Sequence, residues 1–399
     1  MHILVLNSGS SSIKFSIFEA EAAPRVLFSG EISGVGGPSL GFSFRDAEGR
    51  DLSKAAPQAS EASNKDPMTL LENAVCGPGM PPIEAVGYRV VHPGPLLHQH
   101  QRITDEVLRD LQAAVAFAPL HDPQAIALIR DMMGRFPRAR HYACFDTIFH
   151  QTMPAEASTY PIPREYRRQG VRRYGFHGLS CEGVVDDMRA AEFPRRMVIA
   201  HLGSGCSVTA LVDGRSVDNT MGLTPTGGVV MGTRPGDLDP GLVLYLLRQA
   251  KGEGEAAWAK VESMLNHQAG MVALSGLPND MRAVRKEAAA GNKEAGLAIE
   301  IFTRSVRKAI GAYTWLLGGL DAIVFTGGIG EHDVQSRAEI LAGLASCGVV
   351  LDAAANAAGG DRLRRVSALD SKVAVWVVTA QEDRTIAAHV RQMEQQEEL

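Results

Sequence analysis

The chain has 399 residues, of which 45% are hydrophobic and 21% charged, with a formal net charge of −5; that length suits two or three domains with sizeable cores. The mild acidity gives no electrostatic footprint for nucleic acid, no run approaches the roughly 20 apolar residues of a membrane span, and the N-terminus enters a strand pattern with no leader-like segment. Five scattered cysteines (Cys76, Cys144, Cys181, Cys206, Cys347) show neither metal-ligand spacing nor a disulfide framework, which fits a reducing, cytoplasmic setting.

The first element is Ile3–Leu6, a wholly apolar run of the kind that forms a strand buried on both faces. The second is Ile13–Phe18, where Ile13, Phe15 and Ile17 alternate with Lys14 and Ser16. Between them lies Asn-Ser-Gly-Ser-Ser-Ser, from Asn7 to Ser12. It is neither a Walker loop nor a G-x-G-x-x-G loop. Its composition still suits phosphate, with Gly9 for close backbone approach, Ser10 and Ser12 as donors and Lys14 for charge. A polar hairpin turn has the same composition. Asp46–Pro67 is polar and alanine-rich and is expected to be a surface excursion. Tyr142–Phe145 reads as a short strand that delivers Asp146 at its C-terminal end, a cleft position in α/β folds.

Met197–Ala200 is a further apolar strand, followed by His201-Leu202-Gly203-Ser204-Gly205, a strand over Ser207–Val212 and a turn at Asp213-Gly214. Asn7-Ser8-Gly9-Ser10 aligns with His201-Leu202-Gly203-Ser204, so one strand–loop–strand unit is used twice, about half a chain apart. Such a repeat points to duplicated domains. Phe302, Val306, Ile310, Tyr313 and Leu317 form a helical stripe that Gly318-Gly319 ends. Ala322–Phe325 is a strand opening into the third glycine loop, Thr326–Glu331. Val373–Val378 is a strand before Glu382, and a helix is expected over about Ile386–Glu397.

Ten ordered motifs along the chain resemble the acetate/propionate kinase family of the actin–hexokinase–Hsp70 superfamily: NSGSSSIKF from Asn7, GYRVVH from Gly87, FAPLHDP from Phe117, FDTIFHQTMP from Phe145, RRYGFHG from Arg172, HLGSG from His201, SVDNTMGLTPTGG from Ser216, MGTRPGDLDPG from Met231, FTGGIGE from Phe325 and AQED from Ala380. The resemblance implies reversible, Mg²⁺-dependent phosphoryl transfer from ATP to acetate or another short carboxylate, with Mn²⁺ as an alternative ion. It also implies a homodimer, and two ribonuclease-H-like α/β domains of the actin/hexokinase type with an interdomain cleft. Residues 1–147 with 385–399 would form the first domain and 148–384 the second.

Phosphoryl transfer needs cations that converge on the transferred group. Arg89 and Arg234 follow apolar segments and carry bidentate forks, so they are the candidates. The resemblance makes His177 a stabiliser of the transition state and Asp146 a catalytic residue described as proton donor/acceptor. Acetate is already a nucleophile, which favours a positioning or metal-linked role for Asp146. By resemblance, Asn7 and Glu382 lie near Mg²⁺. Ser10, Ser12, Lys14, His201, Leu202, Gly203, Ser204, Gly205, Gly328, Ile329, Gly330, Glu331 and His332 would contact the nucleotide, and Asp280, Met281 and Arg282 would flank adenosine. Arg89, Val91, Leu120, Phe176 and Pro225 would line the acyl site, and the resemblance places His121 and His201 in the cleft.

Several residues depart from the family pattern. Pro93 replaces a glycine, Asp122 an asparagine, Ser204 an asparagine and Gly227 a glutamate; Leu179-Ser180-Cys181 replaces Thr-Ser-His, and Pro235 follows Arg234. Three alternatives stay open from sequence: a propionate or other short-chain acyl kinase, a weakened ATP-binding homologue, and an actin- or Hsp70-like partner-binding ATPase. The last gives no purpose to Arg89, Arg234 and His177 together. Intact Asp280, Arg282 and Gly327–Gly330 favour ATP over diphosphate as the donor.

Overall fold

The computed structural model describes residues 1–9, 12–37, 39–53, 66–118, 122–189, 193–250 and 254–397. Most of the expected surface excursion (54–65) lies outside the described residues, as do Ser10, Leu120 and His121. The chain divides into two units, Met1–Ile148 with Gln381–Leu399, and Phe149–Ala380.

The first unit is built on β1 (His2–Ser8), β2 (Ser12–Glu19), β3 (Arg25–Ser33), β4 (Gly41–Asp46), β5 (Ala85–Val90), β6 (Gln101–Arg102) and β7 (Arg140–Phe145). Their order is β4-β3-β2-β1-β5-β7-β6. β1 to β4 form an antiparallel meander, and β1, β5 and β7 run parallel. Ile3, Leu4, Val5 and Leu6 are all fully buried, as a strand covered on both faces requires. Phe15 and Ile17 on one face of β2 pack with Val86, Tyr88 and Val90 of β5. Leu71, Leu111 and Ile129, from the helices Pro67–Val75, Asp105–Ala114 and Asp122–Arg135, close this core. Ile386 and Val390 of the C-terminal helix meet Gly87 on the opposite face.

That C-terminal helix runs from Glu382 to Glu397, four residues longer at its start than the sequence pattern suggests. Apolar periodicity begins only at Ile386. The acidic pair Glu382-Asp383 extends the helix because carboxylates suit the positive end of its dipole. Glu382 is thus a helical residue and not part of a loop.

The second unit contains β8 (Arg196–Leu202), β9 (Cys206–Val212), β10 (Arg215–Asn219), β11 (Ala322–Thr326), β12 (Leu363–Arg365) and β13 (Ala374–Val378), in the order β10-β9-β8-β11-β13-β12. β8, β9 and β10 are antiparallel neighbours, and β8, β11 and β13 are parallel. Strand for strand, β10-β9-β8-β11-β13 repeats the order and direction of β3-β2-β1-β5-β7. Each sheet adds an antiparallel strand beyond the last parallel one, β6 on β7 and β12 on β13. The chain therefore holds two ribonuclease-H-like units, as the repeated hairpin implies.

Cys181, Val184 and Met188 of the helix Gly178–Arg189 pack on Met197, Ile199 and Val324. The helix Lys293–Leu316 buries Phe302, Val306, Ile310 and Tyr313. Asn292 caps its start by accepting from Glu294 N–H and Ala295 N–H. No helix among the described residues is long and apolar enough to cross a membrane.

Candidate functional site

In the first unit, backbone pairing sets out the polar groups in a row. Asn7, one residue before the end of β1, lies directly opposite Lys14 of β2. Leu6 pairs with Tyr88 on the other side, so Arg89 lies one step further along β5 and shares the face of Asn7. Arg89 Nη1 donates to Asn7 Oδ1 at 3.4 Å. Its Nε donates to Asp146 Oδ2 at 3.1 Å, and Nη2 bonds the same carboxylate. Asp146, just past β7, is fully buried. Glu382 Oε2 lies 3.7 Å from Arg89 Nε and accepts from Asn7 Nδ2 at 2.9 Å. Burial disfavours the Arg89 charge, but Asp146 and Glu382 outweigh it and hold the guanidinium above its ordinary range.

Asp383 joins this group, and the sequence reading passed over it. Its Oδ2 accepts from Ser16 Oγ at 2.8 Å and its Oδ1 from Asn7 Nδ2 at 3.5 Å. Burial raises its pKa, and Glu382 adds to that, against the Ser16 and Asn7 hydrogen bonds and Lys14. The signal was present in the adjacent acids of Gln381-Glu382-Asp383. Asn7, Glu382 and Asp383 supply hard oxygen donors of the kind a small divalent cation takes. Ser12 opens β2, and its carbonyl accepts from Gly9 N–H at 2.8 Å, which closes the hairpin loop.

In the second unit the hairpin loop between β8 and β9 is the centre of a second group. His177 immediately precedes the helix Gly178–Arg189 and has φ of 58°, a sparsely populated region for a residue with a side chain. Its Nδ1 is hydrogen-bonded to Ser207 Oγ at 2.9 Å. His201 Nδ1 is held by Ser180 Oγ at 2.9 Å. A Cβ placed on Gly205 would stand 3.3 Å from His177 Nε2 and 3.6 Å from Arg234 Nη1. His177 and Arg234 therefore converge on the bare backbone of Gly205. Arg234 Nη1 also donates to Pro225 O at 2.7 Å.

The third loop is the short helix Gly327–His332 after β11. Thr326 pairs with His201 across the sheet, and Gly328 N lies 4.0 Å from the Cβ position of Gly203. The second and third glycine loops thus abut within one unit. Glu331 does not project outward: its Oε1 accepts from Gly327 N–H at 3.0 Å and Ala380 N–H at 2.9 Å. Gly328 and His332 are exposed, Ile329 is half-buried and Gly330 is buried. Buried Arg337 braces the loop from behind, donating to Gly330 O at 2.8 Å and Glu331 O at 2.9 Å.

Asp280 is the N-cap of the helix Met281–Ala289, accepting from Arg282 N–H at 2.9 Å, and it also holds the exposed Arg282 guanidinium at 3.0 Å. Phe176 and Pro225 are buried in this unit; Val91 is buried in the first. His150 was also missed, although it stands inside FDTIFHQTMP. Its Nε2 donates to Phe176 O at 2.9 Å and its Nδ1 accepts from Ser216 Oγ at 2.8 Å. Burial lowers its pKa to about 4, so it is a neutral strut under the segment that carries His177.

Comparison with known proteins gives concordant results. The model of the Acetokinase family matches residues 2–388. An acetate kinase of Halothermothrix orenii is 37% identical over 403 residues, covering 97% of this chain and 98% of its own. The crystal structure of Porphyromonas gingivalis acetate kinase is 30% identical, covers 98% of this chain and 99% of its own, and superposes with a TM-score of 0.81. A propionate kinase structure from Francisella tularensis is 34% identical, with 97% and 98% covered and a TM-score of 0.81.

Proposed function

The chain belongs to the acetokinase family, and from that premise we propose that it transfers the γ-phosphoryl group of ATP to acetate, reversibly, giving acetyl phosphate and ADP. An acetate oxygen forms a bond to the γ-phosphorus as the bond from that phosphorus to the β,γ-bridging oxygen breaks. The electron pair leaves with ADP. The observation that carries this reading is the convergence of His177 and Arg234 on Gly205, two donors aimed at one spot on a glycine loop.

The second unit supplies the nucleotide groups in this reading. Gly203 to Gly205 and the loop from Gly327 offer bare backbone to the phosphates, while Asp280, Met281 and Arg282 flank adenosine. His177 and Arg234 donate to the equatorial oxygens as charge builds there. In the first unit Arg89 binds the carboxylate or the transferring phosphoryl group. Asp146 already accepts two bonds from Arg89, so its proposed work is to fix that guanidinium, not to move a proton. Asn7 and Glu382, with Asp383 behind them, are the proposed holders of Mg²⁺ or Mn²⁺. The bound ion supplies charge neutralisation at the β- and γ-phosphates.

Val91, Leu120, Phe176 and Pro225 are the proposed lining for the acyl methyl group. Propionate is the second reading, favoured by the likeness to the Francisella protein; a methylene is worth only about 1–3 kcal/mol in such a pocket. A cytoplasmic setting belongs to the proposal on the scattered cysteines. So does a homodimer: the helix Pro240–Gln249 is largely apolar, yet none of its residues is buried.

The test is acyl phosphate trapping as hydroxamate, with ATP and Mg²⁺ against formate, acetate, propionate and butyrate, and diphosphate as control donor. Turnover with ATP and acetate is expected. Turnover only with a longer acid would move the substrate, and none with any acid would overturn the reaction.

A further inference from the structure

Ser204 stands where the family pattern has asparagine, at the tip of the hairpin loop that carries Gly203 and Gly205. The structure brings an amide back to that place from another segment. Asn279 Nδ2 donates to Ser204 Oγ at 2.8 Å. Asn279 immediately precedes Asp280, so it sits on the segment proposed to flank adenosine.

A second observation places the same Asn279 side chain against Gly232. A Cβ on Gly232 would lie 2.0 Å from Asn279 Oδ1, so a side chain there would turn the Asn279 amide out of its present position. Gly232 in turn donates its N–H to Ser204 O at 3.0 Å, and it lies two residues before Arg234. Three segments therefore meet at one point: the hairpin loop at Ser204, the arginine loop at Gly232 and the Pro278–Arg282 stretch at Asn279.

The bond is solvent-exposed, so it adds little to folding stability. Its consequence is directional. Ser204 Oγ is occupied as an acceptor, which leaves its own O–H proton to donate elsewhere. The loop amides around it are the surface already assigned to phosphate.

We propose that Asn279 is a nucleotide-positioning residue: it orients the Ser204 hydroxyl toward the nucleotide phosphates and ties the phosphate loop to the adenosine-flanking segment. This rests on the function proposed above.

The experiment is calorimetric titration of full-length wild type, Asn279→Ala, Ser204→Ala, the double alanine variant and the reciprocal swap Ser204→Asn/Asn279→Ser. ADP, ATP and AMP are the ligands, and ATP and acetate kinetics accompany the titrations. Asn279→Ala is expected to weaken ADP and ATP binding roughly tenfold and to raise KM for ATP, with AMP binding and KM for acetate unmoved. The double variant should be no worse than Ser204→Ala, and the swap should restore ATP affinity to within about threefold of wild type. Equal loss for AMP would assign Asn279 a merely structural role and overturn the proposal. Independent, multiplying losses or an unaffected Asn279→Ala would do the same. Wild type that binds no ATP would overturn the function as well, which separates the two failures.

Discussion

The His177 ring lies flat against the His201 ring, with centroids 4.1 Å apart and planes 17° from parallel. Each ring is fixed through Nδ1 by a serine, Ser207 for one and Ser180 for the other. The stack turns two separate motifs, YGFHG and HLGSG, into one rigid surface beside Gly205. Replacing His177 by Ala removes a donor to the phosphoryl group and is expected to lower kcat by about 10²–10³. Replacing His201 by Ala removes the ring stacked on His177, with an expected loss of about tenfold. Steady-state kinetics of the two variants checks the order, and equal losses would deny His177 the direct role.

Arg89 is balanced by Asp146 and Glu382. Arg89→Ala leaves buried carboxylates without their cation, which costs about 3–5 kcal/mol of stability as well as turnover. Arg89→Ala combined with Asp146→Asn is expected to recover most of the stability and none of the activity. Urea denaturation and kinetics on the same preparations give both readings. Recovery of activity in the double variant would contradict a binding role for Arg89.

Asp383 orients Asn7 and lies beside Glu382. Asp383→Asn is expected to raise the Mg²⁺ concentration for half-maximal rate by about 10–100-fold, with KM for acetate unchanged. An unaltered Mg²⁺ requirement would remove Asp383 from the metal-holding group.

Asp122 is buried, with Oδ1 accepting from His92 N–H at 3.3 Å and Oδ2 without a hydrogen-bond partner among the described residues. Burial pushes its pKa up to about 8. The unfolded chain ionises this carboxyl near about 4, so between those values the folded state holds the extra proton. The stabilising contribution is complete below about pH 4 and is lost as pH rises toward 8. Asp122→Asn is expected to flatten the fall in stability between pH 5 and pH 8. Denaturation midpoints across that range check it. A slope identical to wild type would assign the proton elsewhere.

On the helix Pro240–Gln249, Leu242, Leu244 and Tyr245 are exposed, and so is Trp258 on the following helix. Such a patch suits a second copy of the chain. Leu244→Glu is expected to convert a dimer to monomer in light scattering, and a wild-type monomer would dismiss the dimer.

The duplicated fold was legible because the strand–loop–strand hairpin repeats its sequence, and hairpins pair locally. β3 and β4 were not, since Arg25–Ser33 and Gly41–Asp46 have one exposed face and no chemical motif. The positions of Arg89, Asn7 and Glu382 were legible as members of motifs, but their contacts were not: Asn7 and Glu382 are brought together only by the returning helix. Glu331 shows the limit most clearly. Its place in TGGIGE suggests a nucleotide contact, while its carboxylate is engaged by the N–H groups of Gly327 and Ala380. Asn279 carried no signal of its own, because the residue it serves is distant in sequence.

The central claim is direct transfer to a carboxylate oxygen, and ³¹P NMR of the product made from ATP and ¹⁸O-labelled acetate tests it most directly. Acetyl phosphate whose phosphorus signal carries the shift of one bonded ¹⁸O is the result predicted. Unlabelled inorganic phosphate with no acetyl phosphate would contradict the account and leave an ATP hydrolase.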